Sequence, residues 1–204
     1  MKQRVALPDF NQMWAGHVAA SPSPRMHDDG AERAFWRDFM ARKSYAPEPS
    51  SRQVLRHLRP LLRAMGVETA LELGPGWGSY TLDLAALCRE VACVDLSRDV
   101  LDFVLRAGAE RGFHNLRAYH AKWEEFTPER TYDLVFGYNC FYRQEDLADC
   151  FARMTRTANK LCVAGMNTGL APAWVRELDE AGGRVSWEWK DYMYFVGVLY
   201  QMGI

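Results

Sequence analysis

From residue 69 onward, short apolar runs alternate with segments whose apolar positions recur at helical spacing. Thr69–Leu73, Glu90–Leu96, Leu116–Lys122, Tyr132–Tyr138 and Lys160–Met166 predict five strands. Between and after them, Ser79–Leu87, Asp99–Ala109, about Glu145 to Arg156, and Pro172–Ala181 predict helices, the last with proline in its favoured first turn. Strands and helices that alternate at this spacing predict an α/β fold: a doubly wound, mostly parallel sheet with helices on both faces.

The two ends of the chain read differently. A short helix is predicted from Pro8-Asp9 through His17, and Ser21-Pro22-Ser23-Pro24 breaks it. After Asp28-Asp29-Gly30, the segment Ala31 to Lys43 carries Phe35, Phe39 and Met40 beside Trp36, as on an amphipathic helix. Ala46 to Ser51 is a second break, with Ser50 or Ser51 able to cap a helix whose apolar positions start at Val54 and whose stop is Gly66. Residues 1–50 are therefore expected to form a helical appendage that lies over the sheet and covers a ligand, and residues 51–204 the α/β unit. Near the C-terminus Arg184–Trp189 reads as a sixth strand. Asp191–Gly203 is apolar enough for a seventh, but Tyr192, Phe195, Val196, Leu199 and Met202 fall at i, i+3, i+4, i+7 and i+10 and favour a helix, with Asp191 as N-cap and Gly203 beyond its end.

Size and charge narrow the picture a little. A chain of 204 residues suits one domain with a sizeable core. The formal charge of -1 provides no electrostatic footprint for nucleic acid, so none is expected as a partner. No run approaches the roughly 18 apolar residues that span a bilayer, and Met1 to Val5 lacks the apolar core of a signal peptide. The five cysteines form no C-x-x-C pair and fall within predicted elements, as buried thiols do. A cytoplasmic, reduced protein without a structural metal and without a membrane anchor is expected.

The chemistry is concentrated in Leu71-Glu72-Leu73-Gly74-Pro75-Gly76-Trp77-Gly78. A strand ends in a glycine turn and a helix follows, which is where nucleotide-like cofactors sit in open α/β sheets. Dinucleotide sites use G-x-G-x-x-G, but here the register is G-x-G-x-G, and the acidic Glu72 would repel a diphosphate. An acid at this position suits a cationic ligand.

This segment resembles motif I of the class I, Rossmann-like S-adenosylmethionine-dependent methyltransferases. The resemblance covers about residues 69–166 and implies S-adenosylmethionine as cofactor, S-adenosylhomocysteine as product, and a small-molecule methyl acceptor. It assigns Glu72, Gly74, Gly76 and Gly78 to the methionine end of the cofactor. Asp95, at the end of the second strand and 17 residues after Gly78, is placed at the ribose hydroxyls, with Leu96 on the adenine face. Asp95 as a cap for the next helix is the competing role. Ala121, Lys122 and Trp123 would meet the adenine, although Lys122 stands where many relatives carry an acid, and Trp123 suits either a base stack or the core. Tyr132 to Tyr142 resembles motif IV, which puts Tyr138 and Asn139 beside the methionine half and the acceptor. Tyr45, following Trp36, resembles a tyrosine that reaches the cofactor carboxylate.

The motif IV run lacks N-P-P-Y and the acidic set of magnesium-dependent relatives, so neither subclass is favoured. The set Trp174, Trp187, Trp189, Tyr192, Tyr194 and Phe195 lies where relatives build acceptor sites, and equally suits a core. His17, His120, Tyr138, Tyr142 and Glu188 are bases by residue type, with none singled out, so catalytic residues stay unassigned. Arg143 suits an acidic acceptor or the surface. With helix rather than strand at 191–203, the chain lacks the family's usual last antiparallel strand. Two other readings remain at this point: a nicotinamide-dependent oxidoreductase on a Rossmann sheet, and a catalytically silent cofactor-binding protein. Oligomeric state is not written in the sequence.

Overall fold

A computed structural model describes residues 7–46, 49–167, 173–183 and 191–204. Its elements are α1 (Phe10–Ala19), α2 (Pro24–His27), α3 (Asp29–Met40), α4 (Pro49–Ala64), β1 (Thr69–Leu73), α5 (Thr81–Leu87), β2 (Glu90–Asp95), α6 (Arg98–Ala109), β3 (Leu116–His120), β4 (Tyr132–Tyr138), α7 (Leu147–Thr157), β5 (Ala158–Gly165), α8 (Ala173–Glu180) and α9 (Asp191–Gln201). Every strand pairing is parallel, in the order β3-β2-β1-β4-β5. Strands added after β1 go first to one side and then, from β4, to the other, so the topological switch falls between β1 and β4.

Period-two alternation divides the core between the two faces of this sheet. Ala70, Val91, Cys93, Leu134 and Phe136 pack with Leu55, Leu58 and Leu62 of α4, Leu84 of α5 and Val100, Leu101 and Val104 of α6. Leu71, Leu73, Ala92, Val94 and Val135 pack on the opposite side with Trp14 and Val18 of α1, Phe151 and Met154 of α7, and Phe195 and Val198 of α9. Phe141, Phe151 and Phe195 meet edge to face with ring centroids 5.2–5.6 Å apart, an arrangement favoured by the aromatic quadrupole.

Several boundaries differ from the sequence reading for local reasons. Helix α1 continues to Ala19, with Asp9 as its cap accepting from the Gln12 N–H at 3.0 Å. The Ser-Pro-Ser-Pro break holds one more turn, α2, because Pro24 sits in its first turn. Asp28 caps α3 two residues earlier than the apolar spacing suggests. Helix α4 starts at Pro49, so Ser50 and Ser51 lie inside its first turn and not at a cap. Strand β3 stops at His120, which leaves Ala121 and Lys122 in the following loop. Residues 191–201 are helical, as the spacing favours, and Gly203 follows with φ +78. The expected strand at 184–189 lies outside the described residues.

The first fifty residues do not behave as one appendage. Helix α1 is part of the core, with Trp14 1% and Val18 0% exposed, whereas α2 and α3 lie at the C-terminal ends of the strands. No helix among the described residues is long and apolar enough to cross a membrane.

Phe151 is 1% exposed at the centre of the aromatic trio, so Phe151→Ala is expected to cost about 3–5 kcal/mol, as buried phenylalanine truncations do. Urea unfolding checks this, and a loss below about 1 kcal/mol would show that the trio does not organise this face of the core.

Candidate functional site

At the switch point the C-terminal ends of β1, β2 and β4 open into a cleft with a cavity volume of about 200 Å³. Its floor is the turn after β1. Gly74 and Gly76 hold φ of +58 and +54, a region that residues with a β-carbon rarely adopt. A β-carbon on Gly74 would stand 2.5 Å from Cβ of Cys140, so the turn and the loop after β4 approach each other only because this side chain is missing. Asn139 takes the other unusual backbone conformation, φ 52, and its side-chain oxygen accepts from the Asn167 N–H at 2.8 Å. Tyr138 donates its hydroxyl to the Asn167 side chain at 3.0 Å.

Two acids below and beside the turn are held without a cation. Glu72 is 1% exposed on the α5 side of β1, with Cys93 Sγ 4.0 Å from its carboxylate. Burial raises its pKa to about 8; a hydrogen bond from Thr81 opposes this and the nearby Asp95 adds to it. Asp95 lines the cleft and accepts from the Ser97 N–H at 2.7 Å. Its pKa is pushed up to about 7, first by burial and further by the charge of Glu32, against the Ser97 hydrogen bond. At neutral pH, Glu72 is mostly a neutral acid.

Two other acids, both on α3, are held by cations. Glu32 is 1% exposed and faces the cleft. Its carboxylate accepts from Arg25 Nε at 2.7 Å and Nη2 at 3.2 Å, from Trp36 Nε1 at 2.7 Å, and from the hydroxyl of Tyr142. Burial alone would raise its pKa, but these donors outweigh it and hold the group below the usual carboxylate range. Asp29, one turn earlier, meets Lys122 Nζ at 2.6 Å and Arg143 Nη2 at 2.5 Å. Its pKa is likewise lowered, the two hydrogen bonds overcoming burial.

Of the residues singled out from sequence, Gly74, Gly76, Asp95, Leu96, Ala121, Lys122, Trp123, Tyr138 and Asn139 line this cleft, as do Trp36, Tyr142 and Arg143. The N-cap of α6 is Ser97 and not Asp95, whose carboxylate accepts from the Ser97 N–H in the turn before the helix. Trp123 is both lining and core, packed near Phe126 with Arg153 over its ring.

Three of the expected residues lie outside the cleft lining. Glu72 is not in the cleft lining; strand alternation turns it to the α5 face, where burial keeps it neutral. Gly78 is buried beside Tyr45 and Val104, and its φ of +82, not lack of space, is what calls for glycine there. Tyr45 lies outside the cleft, packed against Gly78 with Arg111 over its ring at 4.3 Å. Among the other candidates, His17 pairs with Asp191, and His120 holds the Leu96 carbonyl at 2.9 Å, both outside the lining. Trp174 and Tyr192 are exposed, Tyr194 and Phe195 pack near Trp14, and Trp187, Glu188 and Trp189 lie outside the described residues.

Sequence reasoning missed Glu32, Trp77, Ser79, Tyr80, Gln144 and Asn167 in the lining. The signal for Glu32 was faint: an acid one turn before Trp36 on an amphipathic helix, with nothing to tell that it is buried. Trp77 Nε1 and Ser79 Oγ are buried at the cleft and hold no protein partner, which marks them as groups for a ligand to satisfy. Among the described residues no group of three or more histidines, cysteines, aspartates or glutamates is arranged to hold a metal ion.

Comparison with known proteins bears on this site. Residues 70–160 match a family model described as a methyltransferase domain. An uncharacterized protein of Haemophilus influenzae is 28% identical over 149 residues, which cover 71% of this chain and 54% of that protein. The chain thus spans about half the length of the curated relative it matches. Among solved structures, DhpI in complex with SAH is 19% identical, with a TM-score of 0.51 over 64% of this chain and 63% of that one. A candidate S-adenosyl-L-methionine-dependent methyltransferase from Methanococcus maripaludis is 16% identical, with a TM-score of 0.53 over 99% and 89% of the two chains. Both structures share the fold.

The turn and the buried acid each make a testable statement. Gly74→Ala meets both strain and a clash, whereas Gly112→Ala, at φ +78 with nothing within 4 Å, meets strain alone. Gly74→Ala is expected to destabilise by at least about 1 kcal/mol more than Gly112→Ala in urea unfolding; equal losses would show that Cys140 gives way freely. For Glu72, the folded pKa of about 8 lies above the ordinary 4.5, so the native state binds the extra proton between these values. Stability from this group is therefore fully present below the lower value and falls as pH rises to the upper one, by about 1.4 kcal/mol per pH unit at most. Glu72→Gln is expected to flatten that decline and to be more stable than the wild type by a few kcal/mol near pH 8, roughly. Parallel pH profiles for the two proteins would refute it.

Proposed function

We propose that this chain is a class I, Rossmann-like S-adenosylmethionine-dependent methyltransferase whose cleft transfers a methyl group to a small-molecule acceptor by in-line displacement, a reading supported by the methyltransferase-domain match over residues 70–160 and by the shared fold. One observation carries the reading: the glycine turn after β1 and the carboxylate at the end of β2 face one cleft, whose third wall ends in Tyr138 and Asn139.

The residues present fit S-adenosylmethionine, which supplies an already activated methyl group. Asp95 accepts one protein hydrogen bond and keeps further lone pairs for ribose hydroxyls. Leu96, Ala121 and Trp123 offer apolar surface for the adenine, and Lys122 offers its backbone, since its ammonium is held by Asp29. Trp77 Nε1 and Ser79 Oγ await partners beside the turn. Glu72, behind the turn, is drawn toward its ionised form when a cation occupies the floor above it.

Positioning is the main contribution expected of this protein. Holding an acceptor at near-attack distance can contribute about 7–11 kcal/mol. No histidine lines the cleft among the described residues, and burial raises the pKa of both Tyr138 and Tyr142. That supports an acceptor that does not have to lose a proton during attack, because no base is then needed. The narrow cavity supports a small molecule, and its aromatic end, where Tyr80 lies 5.0 Å from Tyr138, suits a planar one.

S-adenosylhomocysteine is expected to raise the melting temperature, and Asp95→Ala to weaken its binding at least about tenfold by calorimetry, through loss of charge-assisted hydrogen bonds worth about 1.5–3 kcal/mol each. If neither S-adenosylmethionine nor S-adenosylhomocysteine binds, the proposal fails; stabilisation by NAD instead would point to hydride transfer.

A further inference from the structure

The geometry points to Asp29 and Glu32 as positioning residues that clasp helix α3 across the cleft, so that bound cofactor leaves only when the clasp opens. This rests on the cofactor reading above. Asp29, Glu32 and Trp36 stand at i, i+3 and i+7, on one face of α3. All three contact groups at the C-terminal ends of the strands. Asp29 binds Lys122 from the loop after β3 and Arg143 from the loop after β4, so one carboxylate joins the two rims of the cleft. Arg143 also lies 3.5 Å from the Met26 carbonyl at the end of α2. Glu32 gathers Arg25 of α2, Tyr142 of the β4 loop and Trp36 of its own helix. The tip of Trp36 comes within 3.7 Å of where a β-carbon of Gly76 would stand, which lays the helix along the glycine turn.

What holds α3 in place decides how it can move. Of its twelve residues, only Glu32 and Met40 are buried, and Phe35 is exposed, with Arg25 over its ring at 3.3 Å. The cleft-facing end is therefore tied largely by polar contacts, with Trp36 and Phe39 only partly buried against Trp77 and the core, unlike α1 with its buried Trp14 and Val18. Segments held this way open at a free energy far below that of global unfolding.

The two carboxylates differ in their access to solvent. Around Asp29 the side chains are 15–28% exposed, so dissolved salt reaches and screens the ion pairs. Glu32 is 2% exposed while its partner Arg25 is 33% exposed, so salt reaches this pair from the arginine side only, and Trp36 and Tyr142 hold the carboxylate as well. The clasp thus has one arm made of ion pairs alone and one arm backed by neutral hydrogen bonds, the second less sensitive to salt. A helix that merely fills space would show neither distinction.

The test is stopped-flow release of S-adenosylhomocysteine, followed through Trp36 and Trp77 fluorescence at low and high sodium chloride. Asp29→Asn is expected to speed release roughly tenfold, equivalent to about 1.4 kcal/mol, and to abolish the salt acceleration seen in the wild type. Asp29→Glu restores both, and Glu32→Gln speeds release while keeping the salt dependence. In the protein without ligand, Asp29→Asn raises amide hydrogen exchange across residues 29–40. Should Glu32→Gln fail to fold, the partly exposed Asp29 variants still decide the matter. Unchanged release in Asp29→Asn, or salt acceleration retained in it, overturns the clasp and leaves the cofactor reading standing. Absence of binding by the wild type overturns the cofactor reading itself.

Discussion

Everything at the cleft depends on one close approach, between the turn after β1 and the loop after β4. Parallel strands that diverge at a switch point leave their C-terminal ends without a covering crossover, so a crevice forms there. In this chain the crevice is shaped by contact of Gly74 with Cys140, which any side chain at 74 would prevent. Gly137 sits under the same pressure, since a β-carbon there would meet the Phe141 ring at 2.6 Å and Cys140 Sγ at 3.0 Å. The aromatic packing beneath, from Phe141 to Phe151 and Phe195, transmits this constraint to α7 and α9. Core and site are thus one packing problem.

Four carboxylates sort themselves by whether a cation accompanies them into the low-dielectric interior. Glu72 and Asp95 have none and are pushed up to about 8 and about 7. Asp29 and Glu32 have arginine or lysine partners and are held below the ordinary range. Burial opposes ionisation in all four, most strongly in Glu72 and Asp95, and only Asp29 and Glu32 have cationic partners to outweigh it. The consequence for function is a division of labour. The uncompensated pair sits where a cationic ligand with hydroxyl groups would be welcomed, and the compensated pair holds the helix that covers it.

The fold was legible because its signals are local. Strand β1 is five consecutive buried residues, and α9 declares itself through 3.6-residue spacing despite being apolar enough for a strand. Asp95, Leu96, Tyr138 and Asn139 line one cleft because strand ends in a parallel α/β sheet must gather on one side. The surroundings of Tyr45, with Gly78 beside it and Arg111 over its ring, were not legible because they come from segments more than thirty residues away. Glu32 was invisible for the same reason: its donors come from residues 25, 36 and 142, and the last is over a hundred residues away.

By itself the order of residues determined the alternating architecture and the glycine turn that carries the resemblance to a chemical family, since each follows from backbone preferences and periodicities confined to short windows. Only the tertiary structure decided which acids carry charge. Glu72 reads in sequence as a negative charge at the mouth of a site, and the fold makes it a neutral acid behind the turn. Glu32 reads as an ordinary helix-surface residue, and the fold makes it a buried, ionised anchor. Ionisation depends on dielectric and on distant partners, and neither exists until the chain has closed on itself.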